Sequence, residues 1–93
     1  MKPTDPQTAI VQILYFARLR EAFGRADEAL VLPEGVGDVG SLRRFLIGRG
    51  GAWALELAEG RAVRIAVNQD MADAATPVAA GDEVAFFPPV TGG

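Results

Sequence analysis

The sequence predicts a small α+β domain, with a mixed β-sheet of four to five strands and one main helix packed across one face. Three observations predict it. Apolar residues alternate with a period of two near both ends of the chain, which is typical of strands. One central stretch repeats apolar residues at three- and four-residue steps, which is typical of a helix. Glycine and proline separate these segments, so each element is short.

Composition fits one domain and excludes several classes of protein. Ninety-three residues allow a single hydrophobic core, and 49% apolar with 23% charged residues is ordinary for a globular chain. The net charge of −3 argues against nucleic-acid binding, which needs clustered basic residues. No apolar run is long enough to cross a bilayer, and the polar start does not resemble a signal peptide. We therefore expect a cytoplasmic protein.

Cysteine and histidine are both absent. This excludes disulfides, thiolate or imidazole metal sites, and cysteine or histidine catalysis. Carboxylate catalysis remains open, because the chain has 12 Asp and Glu residues. We expect no metal site, and we expect that the chain's own side chains do not perform difficult chemistry.

The first strand is predicted over residues 9–17. Val11, Ile13 and Tyr15 lie on one wholly apolar parity, so they should face the core. Leu14 and Phe16 then face outward, and exposed apolar clusters of this kind often mark a partner surface. An equally open alternative is that a loop or the leader covers them.

The next segments are predicted to be a short helix, a strand and the main helix. Residues 18–23 form the short helix that Gly24 ends, 25–28 a turn, and 29–33 the second strand. Asp38 is the expected N-cap of the main helix, although Gly40 leaves the start of that helix poorly defined. The apolar stripe of the main helix is expected to comprise Val39, Leu42, Phe45 and Leu46.

The second half is predicted to complete the sheet. Residues 52–57 form a further helical turn, with Trp53 in the core. Strands are expected over 63–67, 71–75 and 83–87. In the last strand Val84 and Phe86 share one parity, and Glu83 and Phe87 share the other. Because Glu83 should face water, Phe87 should face outward as well.

This element order fits the β-grasp, or ubiquitin-like, architecture. We expect a flexible leader over residues 1–8, the β-grasp domain over 9–87, and an extended tail over 88–93.

The tail is the candidate reactive segment. Pro88 and Pro89 cannot continue a strand, so the chain should leave the sheet as an extended arm. Val90 and Thr91 lead to Gly92 and Gly93, which place no side chain beside the final carboxylate. A carboxylate is a poor electrophile and requires activation, commonly as an acyl adenylate, before it accepts a thiol, an amine or sulfide. Such a terminus would serve an active site in another protein.

Residues 53–93 resemble the small, sulfur-carrying subunit of molybdopterin synthase, a ubiquitin-like sulfur-carrier family. The resemblance rests on Val67-Asn68-Gln69, Gly81-Asp82-Glu83-Val84 and the terminal Phe86-Phe87-Pro88-Pro89-Val90-Thr91-Gly92-Gly93. Ile13-Leu14-Tyr15-Phe16-Ala17 followed by Leu19-Arg20-Glu21 is similar to the family's opening strand.

The resemblance implies that an E1-like enzyme adenylates Gly93, after which a sulfur donor converts it to a thiocarboxylate. The sulfur then passes to cyclic pyranopterin monophosphate in the large subunit of molybdopterin synthase, where two deliveries build the dithiolene. The chain would bind no cofactor, since ATP is used by the activating enzyme, and would not be an enzyme on its own. The resemblance further implies that Phe16, Met71 and Phe87 bind both partners.

Three alternatives remain. A sulfur carrier for thiamine thiazole or for a thiolated tRNA base would share the fold and the Gly-Gly end, although the Phe-Phe-Pro-Pro-Val-Thr approach argues against it. A ubiquitin-like modifier would conjugate Gly93 to lysines. The last alternative is a non-covalent interaction module with a frayed tail.

Overall fold

A computed structural model describes residues 9–89 of the chain. The predictions made for the leader over residues 1–8 and for Val90 to Gly93 lie outside these residues. The described part has the following elements in chain order: β1 Ile10–Tyr15, α1 Ala17–Phe23, β2 Asp27–Val31, α2 Val39–Ile47, α3 Gly51–Glu56, β3 Arg64–Val67, β4 Asp70–Met71 and β5 Glu83–Phe87.

The sheet has five strands in the order β2-β1-β5-β3-β4. The first strand β1 and the last strand β5 are parallel neighbours at its centre, while the other pairs are antiparallel. This confirms the predicted mixed sheet. Because β1 and β5 are parallel, their carboxyl ends lie at the same end of the sheet.

The core lies on the inner face of the sheet. Val11, Ile13 and Tyr15 of β1 are at most 1% exposed, and Val84 and Phe86 of β5 are fully buried, as their parity predicts. The helices cover this face with Leu19, Leu42 and Leu46, which are also fully buried. Burial of apolar side chains of this size contributes about 1.5–3 kcal/mol each relative to leaving them in water. The inner parity therefore fixes the register of both central strands.

Several predicted boundaries are wrong. The first strand ends at Tyr15 rather than at residue 17, because α1 already begins at Ala17. The second strand begins at Asp27, within the predicted turn, because Asp27 pairs with Leu14 of β1. The fourth strand comprises only Asp70 and Met71. It stops there because Asp73 forms a turn, in which its carboxylate accepts from the N–H of Ala75 at 2.9 Å.

Tertiary hydrogen bonds fix the start of α2. Asp38 is the N-cap, as predicted, and its Oδ1 accepts from the N–H of Ser41 at 2.8 Å, which lowers the pKa of its carboxyl. The N–H groups of Val39 and Gly40 donate to the carbonyls of Thr76 and Ala74, each at 2.9 Å. A Cβ atom at Gly40 would lie 3.2 Å from the carbonyl oxygen of Ala74, so glycine permits this close approach.

The prediction that Phe45 belongs to the buried stripe of α2 is wrong. Phe45 is 38% exposed, whereas Val39, Leu42 and Leu46 are buried. Successive residues of a helix are turned by about 100°, so Phe45 lies at the margin of the stripe that Leu42 and Leu46 define.

A polar and aromatic cluster joins β1, β2 and the helices. The hydroxyl of Tyr15 donates to Glu28 Oε2 at 2.7 Å and accepts from Trp53 Nε1 at 3.2 Å. Arg49 donates twice to the Glu28 carboxylate, at 2.8 and 2.9 Å. The ring of Trp53 stacks on that of Phe23 at 4.6 Å, so Trp53 packs against the core as predicted, although it remains half-buried.

The cluster shifts the pKa of its members. Burial alone would raise the pKa of Glu28, but hydrogen bonds from Arg49 and Tyr15 and the charges of Arg49 and Arg25 hold it below its usual range. Burial and the neighbouring Glu28 carboxylate raise the pKa of Tyr15. At neutral pH this part of the molecule therefore contains a neutral phenol beside a carboxylate paired with arginine.

Candidate functional site

The base of the tail lies beside the end of β1. β5 ends at Phe87, and Pro88 and Pro89 follow it with half-buried side chains. The N–H of Phe16 donates to the carbonyl of Phe86 at 3.1 Å, which extends the parallel ladder by one bond past Tyr15. The chain therefore leaves the sheet next to Phe16.

The backbone at Phe16 turns its side chain outward. Phe16 has extended dihedrals, with φ −121° and ψ 154°, and is the N-cap of α1. The next residue, Ala17, has a φ of 52°, a left-handed conformation that is uncommon for a non-glycine residue. The chain thus changes from strand to helix within one residue, and Phe16 is left 48% exposed, as its parity predicts.

A row of apolar residues crosses the outer face of the sheet. The register aligns Leu14 of β1 with Ala85 of β5, then Ala66 of β3, then Met71 of β4. Ala66 and Ala85 are only 7% and 8% exposed, whereas Met71 is 59% exposed. Because alanine is smaller than leucine and methionine, we infer a shallow depression over Ala66 and Ala85, where another protein could approach closely.

A second outer row lies one step closer to the tail. There Phe87 pairs with Arg64 of β3, and Phe16 is adjacent to it beyond the end of β1. Phe87 is half-buried, so the predicted outward orientation is met only in part. We call the apolar residues of the two rows the outer patch: Leu14, Phe16, Ala66, Met71, Ala85 and Phe87.

The motif Val67-Asn68-Gln69 has a structural role at the opposite end of β5. Asn68 Oδ1 accepts from the N–H of Glu83 at 3.0 Å, and its Nδ2 donates to Asp82 Oδ1 at 3.1 Å. Asn68 and Gln69 both have positive φ, which a two-residue hairpin between β3 and β4 requires. This motif holds the start of β5 and thereby its register.

The structure describes some of the predicted site residues and not others. Phe16, Met71 and Phe87 lie on or beside the outer face, together with Leu14, Ala66 and Ala85. Sequence analysis missed the two alanines, although their parity in 63–67 and 83–87 was visible. It also missed Arg64, a positively charged side chain on the outer face of β3. Val90 to Gly93 lie outside the described residues.

Two further observations concern residues 9–89 alone. They contain no group of three or more acidic, histidine or cysteine side chains placed to hold a metal ion. Among them, no helix is both long enough and apolar enough to span a bilayer.

The fold and the outer patch define a ubiquitin-like protein of the β-grasp class, and comparison with known proteins gives its family. Residues 13–93 match the model of the ThiS family. The chain belongs to the ThiS family.

Two curated relatives are both named molybdopterin synthase sulfur carrier subunit. The relative from Escherichia coli is 39% identical and that from Haemophilus influenzae 38% identical, each over 84 residues. Both alignments cover 90% of this chain and 100% of the relative.

Solved structures share the fold. A Pyrococcus furiosus protein assigned as molybdopterin converting factor subunit 1 superposes with a TM-score of 0.73 at 33% identity, covering 88% of this chain and 99% of that one. Small archaeal modifier protein 1 from Haloferax volcanii gives 0.69 at 31% identity, with the same coverage. A complex of subunits 1 and 2 of molybdopterin-converting factor from Helicobacter pylori gives 0.61 at 26% identity, covering 90% and 99%.

Proposed function

We propose that this protein is the sulfur carrier of molybdenum cofactor biosynthesis, acting in the cytoplasm as the small subunit of molybdopterin synthase. Two curated relatives have that name, and each aligns with this chain over its full length. The single observation that carries the proposal is the exit of the chain at Pro88, beside an exposed Phe16 and next to the outer patch. A partner that docks on the patch also receives the tail.

The chemistry proceeds at the carboxylate of Gly93. An E1-like enzyme joins a carboxylate oxygen to the α-phosphorus of ATP and releases pyrophosphate, which gives an acyl adenylate. Sulfide, supplied as HS⁻ by a donor, then attacks the acyl carbon, displaces AMP and loses its proton, which leaves a thiocarboxylate. In the large subunit the sulfur forms a bond to a carbon of cyclic pyranopterin monophosphate, and water cleaves the bond between sulfur and the acyl carbon, which restores the carboxylate of Gly93. Two such transfers complete the dithiolene of molybdopterin.

The roles of this chain and of its partners follow from the chemical groups that this chain contains. In this proposal the catalytic groups belong to the large subunit and the activating enzyme, and this chain, which has neither cysteine nor histidine, supplies the terminal carboxylate. Its contribution is positioning: a rigid sheet fixes the point at which Pro88 and Pro89 leave it, and docking converts sulfur transfer into a reaction between held groups. Glycines at the end allow passage through a narrow channel.

The decisive experiment changes the terminus without changing the fold. Deleting Gly93, or adding one alanine after it, should abolish molybdopterin formation in a reconstituted assay with the E1-like enzyme, ATP, sulfide, cyclic pyranopterin monophosphate and the large subunit. Circular dichroism and thermal unfolding should match the unmodified protein. Intact mass spectrometry of the protein from its own cell should show one oxygen replaced by sulfur. Full transfer by the extended protein, with its added alanine still present, would contradict the proposal.

A second candidate function has one observation in its favour. Small archaeal modifier protein 1 is 31% identical to this chain and shares its fold. As a modifier, the protein would form isopeptide bonds between Gly93 and lysines of other proteins. Adducts that survive denaturing electrophoresis and, after tryptic digestion, carry residues 65–93 joined through Gly93 to a lysine would favour this function over sulfur transfer.

A further inference from the structure

Arg64 is a charged side chain beside an apolar surface. It is exposed, lies on the outer face of β3 and pairs with Phe87 in the register. The next outward residue of the same strand is the buried Ala66, which pairs with Met71. A guanidinium at this position borders the outer patch on the side of the tail.

Arg64 has no carboxylate partner in the part of the chain that the structure describes. The ion pairs found there use other arginines, namely Arg18, Arg25, Arg49 and Arg61. No side-chain hydrogen bond from Arg64 is formed to residues 9–89 either. With respect to residues 9–89, none of its five N–H donors is therefore engaged by a side chain.

A cavity opens beside Arg64 at the β4 edge of the sheet. Its volume is about 210 Å³, and it is lined by residues 63–65, by 71–74, and by Val39, Gly40 and Arg43 of α2. At roughly 30 Å³ for each water, this equals about seven water molecules. It is too small for a typical drug-sized ligand, but it has room for one amino-acid side chain. Met71 lines the cavity and also belongs to the outer patch, so the two are continuous.

The charges around this cavity favour an anion. Arg43 donates to the carbonyls of Leu57, Ala58 and Arg61 at 2.7 to 3.2 Å, which fixes its charge in place. Asp73 is the acidic residue among those lining the cavity, and its Oδ1 is engaged by Ala75 and by Thr76. Among the lining residues there are two arginines and one aspartate, so the cavity is locally basic, although the whole chain carries a net charge of −3.

We propose that Arg64 determines specificity in docking by binding an aspartate or glutamate side chain of the large subunit, which reaches the mouth of the cavity beside Met71. This inference rests on the proposed function. The planar guanidinium suits bidentate binding of a carboxylate, and such bonds are stronger than neutral ones. A charge at the edge of an apolar contact contributes to recognition and to the rate of association. The outer patch supplies contact area, and Arg64 selects which acidic partner surface fits it.

The test compares four variants in binding to the purified large subunit. Arg64→Glu should weaken the affinity by about tenfold or more, Arg64→Leu by about threefold or more, and Arg64→Lys by less than either. The control is Arg44→Glu, which changes the net charge equally at an exposed position on α2 that does not line the cavity. It should change the affinity by less than about twofold. Titration calorimetry gives the dissociation constants, and circular dichroism checks that each variant folds.

Salt dependence and rescue separate an ion pair from a packing contact. The advantage of the unmodified chain over Arg64→Leu should shrink as sodium chloride is raised, because salt screens exposed charges. Replacing the contacting acidic residue of the large subunit by lysine should restore binding of Arg64→Glu. We would find that residue by replacing the acidic side chains of its surface one at a time.

Two results would overturn the inference while leaving the proposed function intact. One is that Arg64→Glu binds as tightly as Arg44→Glu. The other is that no acid-to-lysine variant of the large subunit restores binding. Failure of the proposed function would look different, because the unmodified chain would then not bind the large subunit at all.

Discussion

The hydroxyl of Tyr15 donates a 2.7 Å hydrogen bond to Glu28, a residue that lies on the neighbouring strand and is itself held by Arg49. This bond joins a fully buried ring to a charged pair at the margin of the core. It lies one residue before Phe16, at the place where β1 ends and the outward turn begins. The cluster therefore stabilises the part of the sheet from which the tail emerges.

Replacing Tyr15 by phenylalanine should lower the free energy of unfolding by about 1–3 kcal/mol. The substitution leaves Trp53 Nε1 without its acceptor and removes one donor to Glu28, while the ring packing against Phe23 stays. Urea unfolding of Tyr15→Phe, Glu28→Gln and the double variant gives the coupling between the two groups. Strict additivity of the two single effects would contradict a direct interaction.

Stability should fall in acid partly through Glu28. The pKa of this carboxyl is lowered in the folded protein, so its contribution is complete above the unfolded value of about 4.3. That contribution is lost as the pH falls through the lower, folded pKa. Urea unfolding at a series of pH values from about 6 down to about 3 measures this loss. The free energy of unfolding should fall less steeply with decreasing pH in Glu28→Gln than in the unmodified protein. An identical slope in both proteins would show that other carboxyls account for the acid sensitivity.

The outer patch is predicted to act in docking, with little effect on folding. Met71→Glu should weaken binding to the large subunit by about tenfold or more, since Met71 is 59% exposed and borders the shallow depression. Leu55→Glu is the matched control, because Leu55 is 68% exposed on α3 and lies outside the patch. Surface plasmon resonance measures both. Equal losses for the two variants would mean that binding does not depend on the patch.

Two adjacent phenylalanines should separate folding from docking. Phe86 is fully buried, so Phe86→Ala should cost about 3–5 kcal/mol of stability. Phe87 is half-buried on the outer face, so Phe87→Ala should reduce affinity for the large subunit more than stability. Thermal unfolding and binding measured on the same preparations decide this. A stability loss for Phe87→Ala as large as that for Phe86→Ala would place Phe87 in the core.

The β3–β4 turn offers a test in which two effects on stability have opposite signs. Asn68→Gly keeps the positive φ at no cost but removes the bonds to Asp82 and Glu83, so it should destabilise by about 1 kcal/mol. Gln69→Gly should stabilise by about 0.5–1 kcal/mol, because Gln69 has a φ of 72° and no side-chain hydrogen bond within residues 9–89. Urea unfolding gives both values, and a loss of stability in Gln69→Gly would contradict the argument.

The sequence predicted what depends on local pattern. The parity of Val11, Ile13 and Tyr15 gave the inner face, Asp38 gave the start of α2, and element order gave the architecture. It predicted less well what depends on distant residues. The β2 boundary depends on pairing with β1, and the need for glycine at position 40 depends on the carbonyl of residue 74.

The same distinction applies to the candidate site. Exposure of Phe16 could be predicted because strand parity is a local property, whereas Met71 was named only from the family resemblance. The alignment of Leu14, Ala85, Ala66 and Met71 could not, because it needs the register of four strands. Arg64 gains its significance only from that alignment and from the cavity at the β4 edge.

The central place of β5 has a mechanical consequence. When a partner pulls on the segment that follows Pro89, the force acts along a strand that is hydrogen-bonded to β1 on one side and to β3 on the other. Such a pull loads both ladders in shear, so several bonds must break together before the strand slides. A terminal segment attached to an edge strand such as β2 would load one ladder only. A partner can therefore pull on the C-terminal segment without separating β5 from the sheet.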